Sequence, residues 1–377
     1  MSFARSALVA TVPVLVLLAA CGEPVSDQAQ APAGTDASAV ATAPAALPAP
    51  DIATQPLAIP PITASASPVA LAIDKAVWSA TATTPQAKRD ALIRAQVMLS
   101  RAHFSPGVID GQDGGNMKNA LMAYEEANAM TVDGVLDQAA WDKLAADTQP
   151  AMTDYAITEA DVAGPFVPTI PKDYAEMAKL EKLAYATPLE GLAEKFHMDE
   201  ALLKALNPGA DFAVAGTKIV VVAPGPEQLP GAVTRVEVDK TKKQVRAFGA
   251  DNKLMAAYPA TVGSSSLPTP SGEWAVRTIA PNPTWTYDPS RLNFGDKTVG
   301  KQTIKAGPNN PVGAVWIDLT KDTYGIHGAP DPRLVGKTAS HGCVRLTNWD
   351  AIQLSKAVSK QTKVIFTGGN AAPATKA

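Results

Sequence analysis

Cysteine and histidine are scarce in this chain of 377 residues, with two of the first and four of the second. Cys21 and Cys343 alone cannot build a disulfide framework. Histidine and thiolate ligands are equally thin on the ground. His327, His341 and Cys343 would be a zinc site with no evident fourth ligand and no Cys-x₂-Cys-like spacing, so no metal and no cofactor is expected. Charge is sparse too. Lys and Arg number 33 against 36 Asp and Glu, a net −3, which gives no electrostatic reason for a nucleic-acid partner. The apolar run from Ala7 to Leu18 is too short for a membrane span.

Where the scarce residues stand is informative. Arg5, the apolar run and Leu18-Ala19-Ala20-Cys21 read as an export signal over residues 1–20. The Leu-Ala-Ala-Cys tetrapeptide resembles a bacterial lipoprotein processing box, which implies lipidation of Cys21 and a membrane partner through the lipid anchor. An ordinary signal peptide with an accidental cysteine is the alternative. Gly22, rather than aspartate, after that cysteine points to an outer-membrane anchor and a periplasmic body. Residues 21–83 are rich in Ala, Pro, Ser, Thr and Gln without apolar period, and are expected to be a disordered tether with order beginning near Trp78.

Helical periodicity begins at Thr84-Pro85, a cap followed by proline in the first turn. Leu92, Ala95, Gln96 and Leu99 recur at helical spacing, Met117, Leu121 and Tyr124 share one face of a second helix, and a third helix from Asp137 carries Trp141 and Leu144. Val108-Ile109-Asp110-Gly111 and Val132-Asp133-Gly134 are repeated turns before helices. Calcium is the alternative reading of the Asp-Gly pairs, without the spacing of an EF-hand loop. This unit, residues 84–149, resembles the peptidoglycan-binding type 1 family. His103 is expected to be packed or at the surface.

Residues 150–173 are punctuated by proline and read as a linker. A unit over 174–226 follows. Tyr174, Met177, Leu180 and Leu183 sit at helical spacing, and Thr187-Pro188-Leu189-Glu190 starts a capped helix. Ala205-Leu206-Asn207-Pro208 makes a turn, and Gly216 to Val222 a closing strand. Leu189 to Pro224 resembles the LysM family, which implies binding of glycan strands. It departs at the front, where Leu183 to Pro188 replaces the usual opening, so a structural spacer is the other reading. His197 is expected at the surface.

From Val233 the period changes to two, with strands over Val233–Val238, Gln244–Phe248, Leu254–Val262, Glu273–Ile279, Val315–Leu319 and Val364–Phe366. Asn348 is expected to cap one helix over Trp349–Val358. The chain is thus a multidomain α+β protein with a mostly-β domain over 232–367 and a mobile tail over 368–377.

Cys343 is the sole thiol once Cys21 is accounted for, and two histidines lie near it. A cysteine attacks a carbonyl as its thiolate, and an imidazole partner can supply that. His341, two residues away, would share a face with Cys343 only in extended backbone, which Gly342 makes uncertain. His327 serves if the loop over 329–339 folds back, and that loop is itself expected to contact substrate. Gly342 would allow close approach of substrate, and the Cys343 amide could donate to an oxyanion. The Arg345 fork suits a carboxylate or phosphate-like anion, unless it forms a structural ion pair.

Gly325-Ile326-His327-Gly328 followed by Ser340-His341-Gly342-Cys343-Val344-Arg345 resembles the L,D-transpeptidase (YkuD-type) family. Thr269 to Trp274 and Asn310-Pro311-Val312-Gly313 extend the resemblance over Val233–Thr367. It implies Cys343 as nucleophile and His327 as base, its ring oriented by the Gly328 carbonyl. Ser340, His341 and Gly342 would shape the pocket, with Arg345 and Tyr324 toward substrate. Cys343 would take the acyl group of a peptidoglycan stem tetrapeptide as a thioester and release the terminal D-alanine. A neighbouring stem would accept it in a 3→3 cross-link, a lysine of a protein would be attached to the wall, or water would make the enzyme a carboxypeptidase or endopeptidase. A non-catalytic wall-binding lipoprotein is the alternative of a different class.

Overall fold

Residues 62–369, apart from Ala82, Thr83 and Asn293, are described by the structure, a computed structural model. The export signal, Cys21, most of the tether and the tail beyond Gly369 lie outside the described residues. No described helix is long and apolar enough to cross a membrane.

The expected tether is ordered from residue 62. Helix α1 (Pro68–Asp74) buries Ala70 and Ile73, and the Asp74 carboxylate accepts from the amides of Ala151 and Met152 at 2.7 and 3.1 Å. Composition hid this short apolar segment because its stability comes from a tertiary partner, not from its own length.

Helices α2 (Pro85–Arg101), α3 (Gly115–Ala127) and α4 (Gln138–Leu144) form the helical unit around Leu99, Met117, Leu121 and Trp141. The repeated turns have a shared cause. Gln96 Oε1 on α2 accepts the amides of Asp110 and Gly111, and Glu125 Oε2 on α3 accepts those of Asp133 and Gly134. Each aspartate accepts an amide of its own turn, from Gln112 and Val135 respectively.

Strand β1 (Met152–Ala156) and helix α5 (Glu159–Val162) lie in the stretch read as a linker. β1 pairs with β2 (Lys218–Val222), which closes the next unit. Proline punctuation masked a strand whose Met152 and Tyr155 are core residues. Helix α6 (Tyr174–Met177) is one turn only, because Leu183 exchanges backbone bonds with Ala306 and Asn309 instead of continuing a helix. Helices α7 (Pro188–Lys195) and α8 (Glu200–Leu206) follow, Thr187 capping the first. Asn207 then grips β2, donating to Val220 O and accepting from Val220 N.

The C-terminal domain is a curled sheet. Strands β3 (Arg235–Asp239), β4 (Gln244–Phe248), β5 (Leu254–Pro259), β6 (Gly272–Pro281), β9 (Val315–Leu319), β10 (Gly325–His327), β11 (Val344–Arg345) and β12 (Lys363–Thr367) lie in the order β11-β10-β9-β6-β12-β3-β4-β5. Between β6 and β9 stands a hairpin the alternation did not reveal, β7 (Trp285–Tyr287) with β8 (Gln302–Ile304). The two edges of the sheet meet. Thr261, just past β5, exchanges two 2.9 Å backbone bonds with Arg345 of β11. One face carries Val238, Val245, Tyr258, Ile317, Ile326, Val344 and Phe366 against Ala351 and Leu354 of helix α9 (Asn348–Ala357). β4 is buried on both faces because the helical unit shares its core with Phe248, Leu254 and Ala257. Thr347, not Asn348, caps α9, accepting the Asp350 amide, which frees the Asn348 side chain for another task.

Candidate active site

The site is built on the parallel pair β10–β11, where Ile326 stands against Val344 and His327 against Arg345. Ile326 and Val344 point into the core. His327 and Arg345 therefore point to the opposite face, and Cys343, two residues before Arg345, shares it. Such diagonal neighbours lie roughly 7–8 Å apart at the backbone, within reach of side chains. The parallel register, rather than proximity in sequence, sets His327 beside Arg345, two residues from Cys343.

His327 is 3% exposed. Its Nδ1 lies 2.7 Å from the Gly328 carbonyl oxygen, an acceptor only, so Nδ1 carries the hydrogen and Nε2 the lone pair. Burial, with the Arg345 charge adding to it, lowers the imidazole pKa to about 3, against the opposing pull of the Gly328 and Val312 carbonyls. Trp316, opposite His327 on β9, stacks on the ring at 5.3 Å. Trp316 also covers Gly325, where a Cβ would meet the indole at 2.5 Å. Trp316 was not singled out in the sequence, where it reads as one residue of an alternating strand.

Cys343 is half-buried, and its Sγ lies 3.6 Å from the Thr323 carbonyl oxygen. Burial pushes the thiol up to about 11, against the opposing pull of the Gly325 amide and Arg345. At rest the thiol and the imidazole are therefore both neutral.

The turn before Cys343 is tied from three sides. Ser340 is buried, donates to Cys343 O at 2.6 Å and accepts the Gly342 amide at 3.1 Å. Thr269 Oγ1 donates to Gly342 O at 2.7 Å and accepts the Gly263 amide at 2.7 Å. Gly342 has φ +122°, and a Cβ there would stand 3.0 Å from Tyr324. Tyr324 is thus placed against the turn, and burial, with Cys343 next in weight, raises its pKa. His341 is exposed and stacks on Phe294 at 4.2 Å, forming an outer wall rather than a partner of the thiol.

Arg345 forms no ion pair with a described residue, and its Nε is buried without a hydrogen-bond partner. The structural ion pair weighed from the sequence is thus absent among the described residues. Arg345 borders a groove of about 440 Å³ shared with Tyr174, Asn309, Asp331 and Arg333. The loop over 329–339 is more than a connector. Pro332–Leu334 forms a 3-10 turn, Val335 is buried with its carbonyl accepting from Asn116 of α3, and the Gly336 amide donates to Thr261. A larger cavity, about 760 Å³, lies among α7, α9 and the helical unit, and neither Cys343 nor His327 lines it. His197 lines it instead of standing at the surface, its ring stacked on Trp349 and its pKa lowered by burial to about 3.

Comparison with known proteins bears on this geometry. The L,D-transpeptidase catalytic domain family (YkuD) matches residues 233–366, and a candidate peptidoglycan binding domain matches residues 88–144. The YkuD protein of Bacillus subtilis strain 168, described as a candidate L,D-transpeptidase, is 30% identical over 178 residues, 47% of this chain and 91% of its own. The chain belongs to the L,D-transpeptidase family. The B. subtilis YqjB protein, with the same description, is 33% identical over 152 residues, 39% of this chain and 77% of its own. Among solved structures, an L,D-transpeptidase from Mycobacterium smegmatis is 21% identical, covers 41% of this chain and 64% of that one, and gives a TM-score of 0.30. The protein is accordingly an enzyme of the L,D-transpeptidase type.

Proposed function

We propose that the enzyme acts on peptidoglycan stem tetrapeptides through a thioester on Cys343, and joins the acyl group to an amine in a 3→3 cross-link or on a protein lysine. The observation that carries this reading is the shared face of Cys343 and His327, with the His327 Nδ1–H held by Gly328. That bond leaves Nε2 to take the thiol proton as sulfur attacks the carbonyl carbon of the third stem residue. The Cys343 amide donates to the developing oxyanion. As the carbon–nitrogen bond breaks, Nε2 returns the proton to the leaving D-alanine amine. The acceptor amine then attacks the thioester, its proton passes to His327, and the thiol re-forms. A positioned base of this kind supplies about 10²–10⁴ in rate. The unpaired Arg345 fork binds a carboxylate of the stem peptide, and Tyr324, packed against the Gly342 turn, contacts the same substrate.

The domain over 88–144 holds glycan or stem peptides of the wall, and the unit over 174–226 holds glycan strands. Export, lipidation at Cys21 and a periplasmic station complete the reading. Mass spectrometry of the full chain after incubation with a carbapenem tests it. A covalent adduct is expected for the wild type and none for Cys343→Ala; an unmodified wild type would sink the assignment. Muropeptides from overexpressing cells test the acceptor: 3→3 dimers are expected to rise, and accumulating tripeptides without dimers would point to water.

A further inference from the structure

The first turn of α9 follows Cys343 by five residues, and it is held by side chains from outside the catalytic domain. Asp350 accepts from Ser105 Oγ of the helical unit at 2.9 Å. Trp349 stacks on His197, ring centroids 4.8 Å apart. Asn348 Nδ2 donates to both carboxyl oxygens of Glu194 on α7, at 3.0 and 3.3 Å.

Asn348 also reaches the active site. Its Oδ1 accepts the Ala314 amide at 2.9 Å and packs against two glycines. A Cβ on Gly328 would stand 2.2 Å from that oxygen, and one on Gly313 2.3 Å. Gly328 in turn donates to Val315 O at 3.2 Å and accepts His327 Nδ1 at 2.7 Å. We propose that Glu194, a residue of the unit preceding the catalytic domain, is a positioning residue for His327, acting through the Asn348 amide and the Gly313–Gly328 backbone. The proposal rests on His327 being the base.

The Asn348 amide must face one way, NH₂ toward Glu194 and oxygen toward Ala314. Without Glu194 its NH₂ keeps only the Pro308 carbonyl, at 3.2 Å. A flipped amide would set NH₂ against the Ala314 N–H, and the Gly328 carbonyl that orients the imidazole would lose its packing partner. Glu194 is buried and faces Tyr185, Glu190 and Asp331 besides Asn348. Burial raises its pKa to about 8, so the acid form prevails at neutral pH, and glutamine reproduces its shape and acceptor oxygen.

The test uses the full chain as wild type, Glu194→Ala, Glu194→Gln and His197→Ala. Nitrogen NMR of isotopically labelled histidine, with His327→Gln for assignment, reads the His327 tautomer without requiring turnover. Carbapenem acylation reads the chemistry. Expected for Glu194→Ala are a mixed His327 tautomer and acylation slowed about 10- to 100-fold. Glu194→Gln restores the wild-type tautomer and a rate within about threefold of wild type, and so does His197→Ala, which loosens the same contact surface without touching Asn348. A wild-type tautomer and rate in Glu194→Ala would overturn the proposal. So would the same changes in His197→Ala, which would make Glu194 one more contact of the domain boundary. Wild type that fails to acylate while the tautomer changes as expected would refute the catalytic reading and leave the positioning role standing.

Discussion

The state of the Cys343 thiol before substrate arrives is the sharpest consequence of the geometry. Burial raises its pKa from 9.0 to about 11 and lowers that of His327 to about 3. No ion pair forms at rest, because neither partner is stable in its charged form. Two pH units reduce the thiolate fraction at pH 7 about 100-fold against an ordinary thiol. A more basic thiolate is the better nucleophile, which offsets roughly 6- to 10-fold of that loss. Iodoacetamide should therefore alkylate native Cys343 roughly 10- to 16-fold more slowly than the same cysteine in urea. Peptide mapping across pH 6 to 11 measures this and separates Cys343 from Cys21. The logarithm of the native rate should rise with unit slope through pH 10, without a plateau. His327→Ala should leave alkylation nearly unchanged, yet slow carbapenem acylation by about 10²–10⁴, since only acylation uses the imidazole as base. A plateau between pH 5 and 8 would refute the neutral pair and require a thiolate–imidazolium pair at rest.

Further outcomes follow from the same contacts. Gly328→Ala places a methyl 2.2 Å from Asn348 Oδ1; it should fold with a loss of about 1–3 kcal/mol in urea melts and acylate about 100-fold more slowly. Ser340→Ala removes the two bonds that tie the turn to Cys343, and should lower stability by about 1–2 kcal/mol and acylation about tenfold, with circular dichroism unchanged. Arg345→Lys keeps the charge and loses the fork, so KM for a stem tetrapeptide should rise about tenfold while kcat stays within about threefold. Glu194 and Asp350 have pKa values raised by burial to about 8 and about 7. Their contribution is present at low pH and lost as pH rises through those values. His197 and His327, lowered to about 3, act oppositely but only below pH 6.5. Stability should thus fall from pH 6.5 to 8, by about 2 kcal/mol for Glu194 alone, and Glu194→Gln should flatten that slope.

The parts of the fold legible in the sequence were those whose signal is local. Alternation marked β3, β4, β6, β9 and β12, and the three helices of the first unit followed from apolar period and caps. Elements held by distant partners were not legible. β1 has no pattern that distinguishes it from a linker until β2 is placed beside it, and α1 depends on Met152 seventy-eight residues away. The site shows the same division. His327, Gly328, Ser340, Gly342 and Cys343 lie in two short motifs, and both were read. The spacing alone left two histidines in competition, and the parallel register between β10 and β11 separates them. His327 shares a face with Cys343, while His341 turns outward onto Phe294. Trp316 and Glu194 carry no local signal, because each acts across a sheet or a domain boundary.

Those boundary contacts change what the preceding units are for. Had they served only to concentrate the enzyme at a polymer, a flexible connection would suffice, and effective concentration would set the gain. The contacts observed are of another kind. Glu194, His197 and Ser105 converge on three successive residues of α9, and Asn116 grips the loop over 329–339 at Val335. Two of these contacts involve carboxyls with pKa values raised by burial, which is a costly way to join domains unless their geometry is needed. The helix so clamped begins just after β11, and its first residue packs against the glycine whose carbonyl orients His327. Severing the units at residue 232 would therefore do more than weaken wall binding. The isolated domain would retain Cys343 and His327 but lose the acceptor that keeps Asn348 facing Ala314. Its acylation by a small carbapenem, which needs no wall binding, should fall by about the same 10- to 100-fold as in Glu194→Ala. An isolated domain that folds and acylates as fast as the full chain would show that the units act as anchors only.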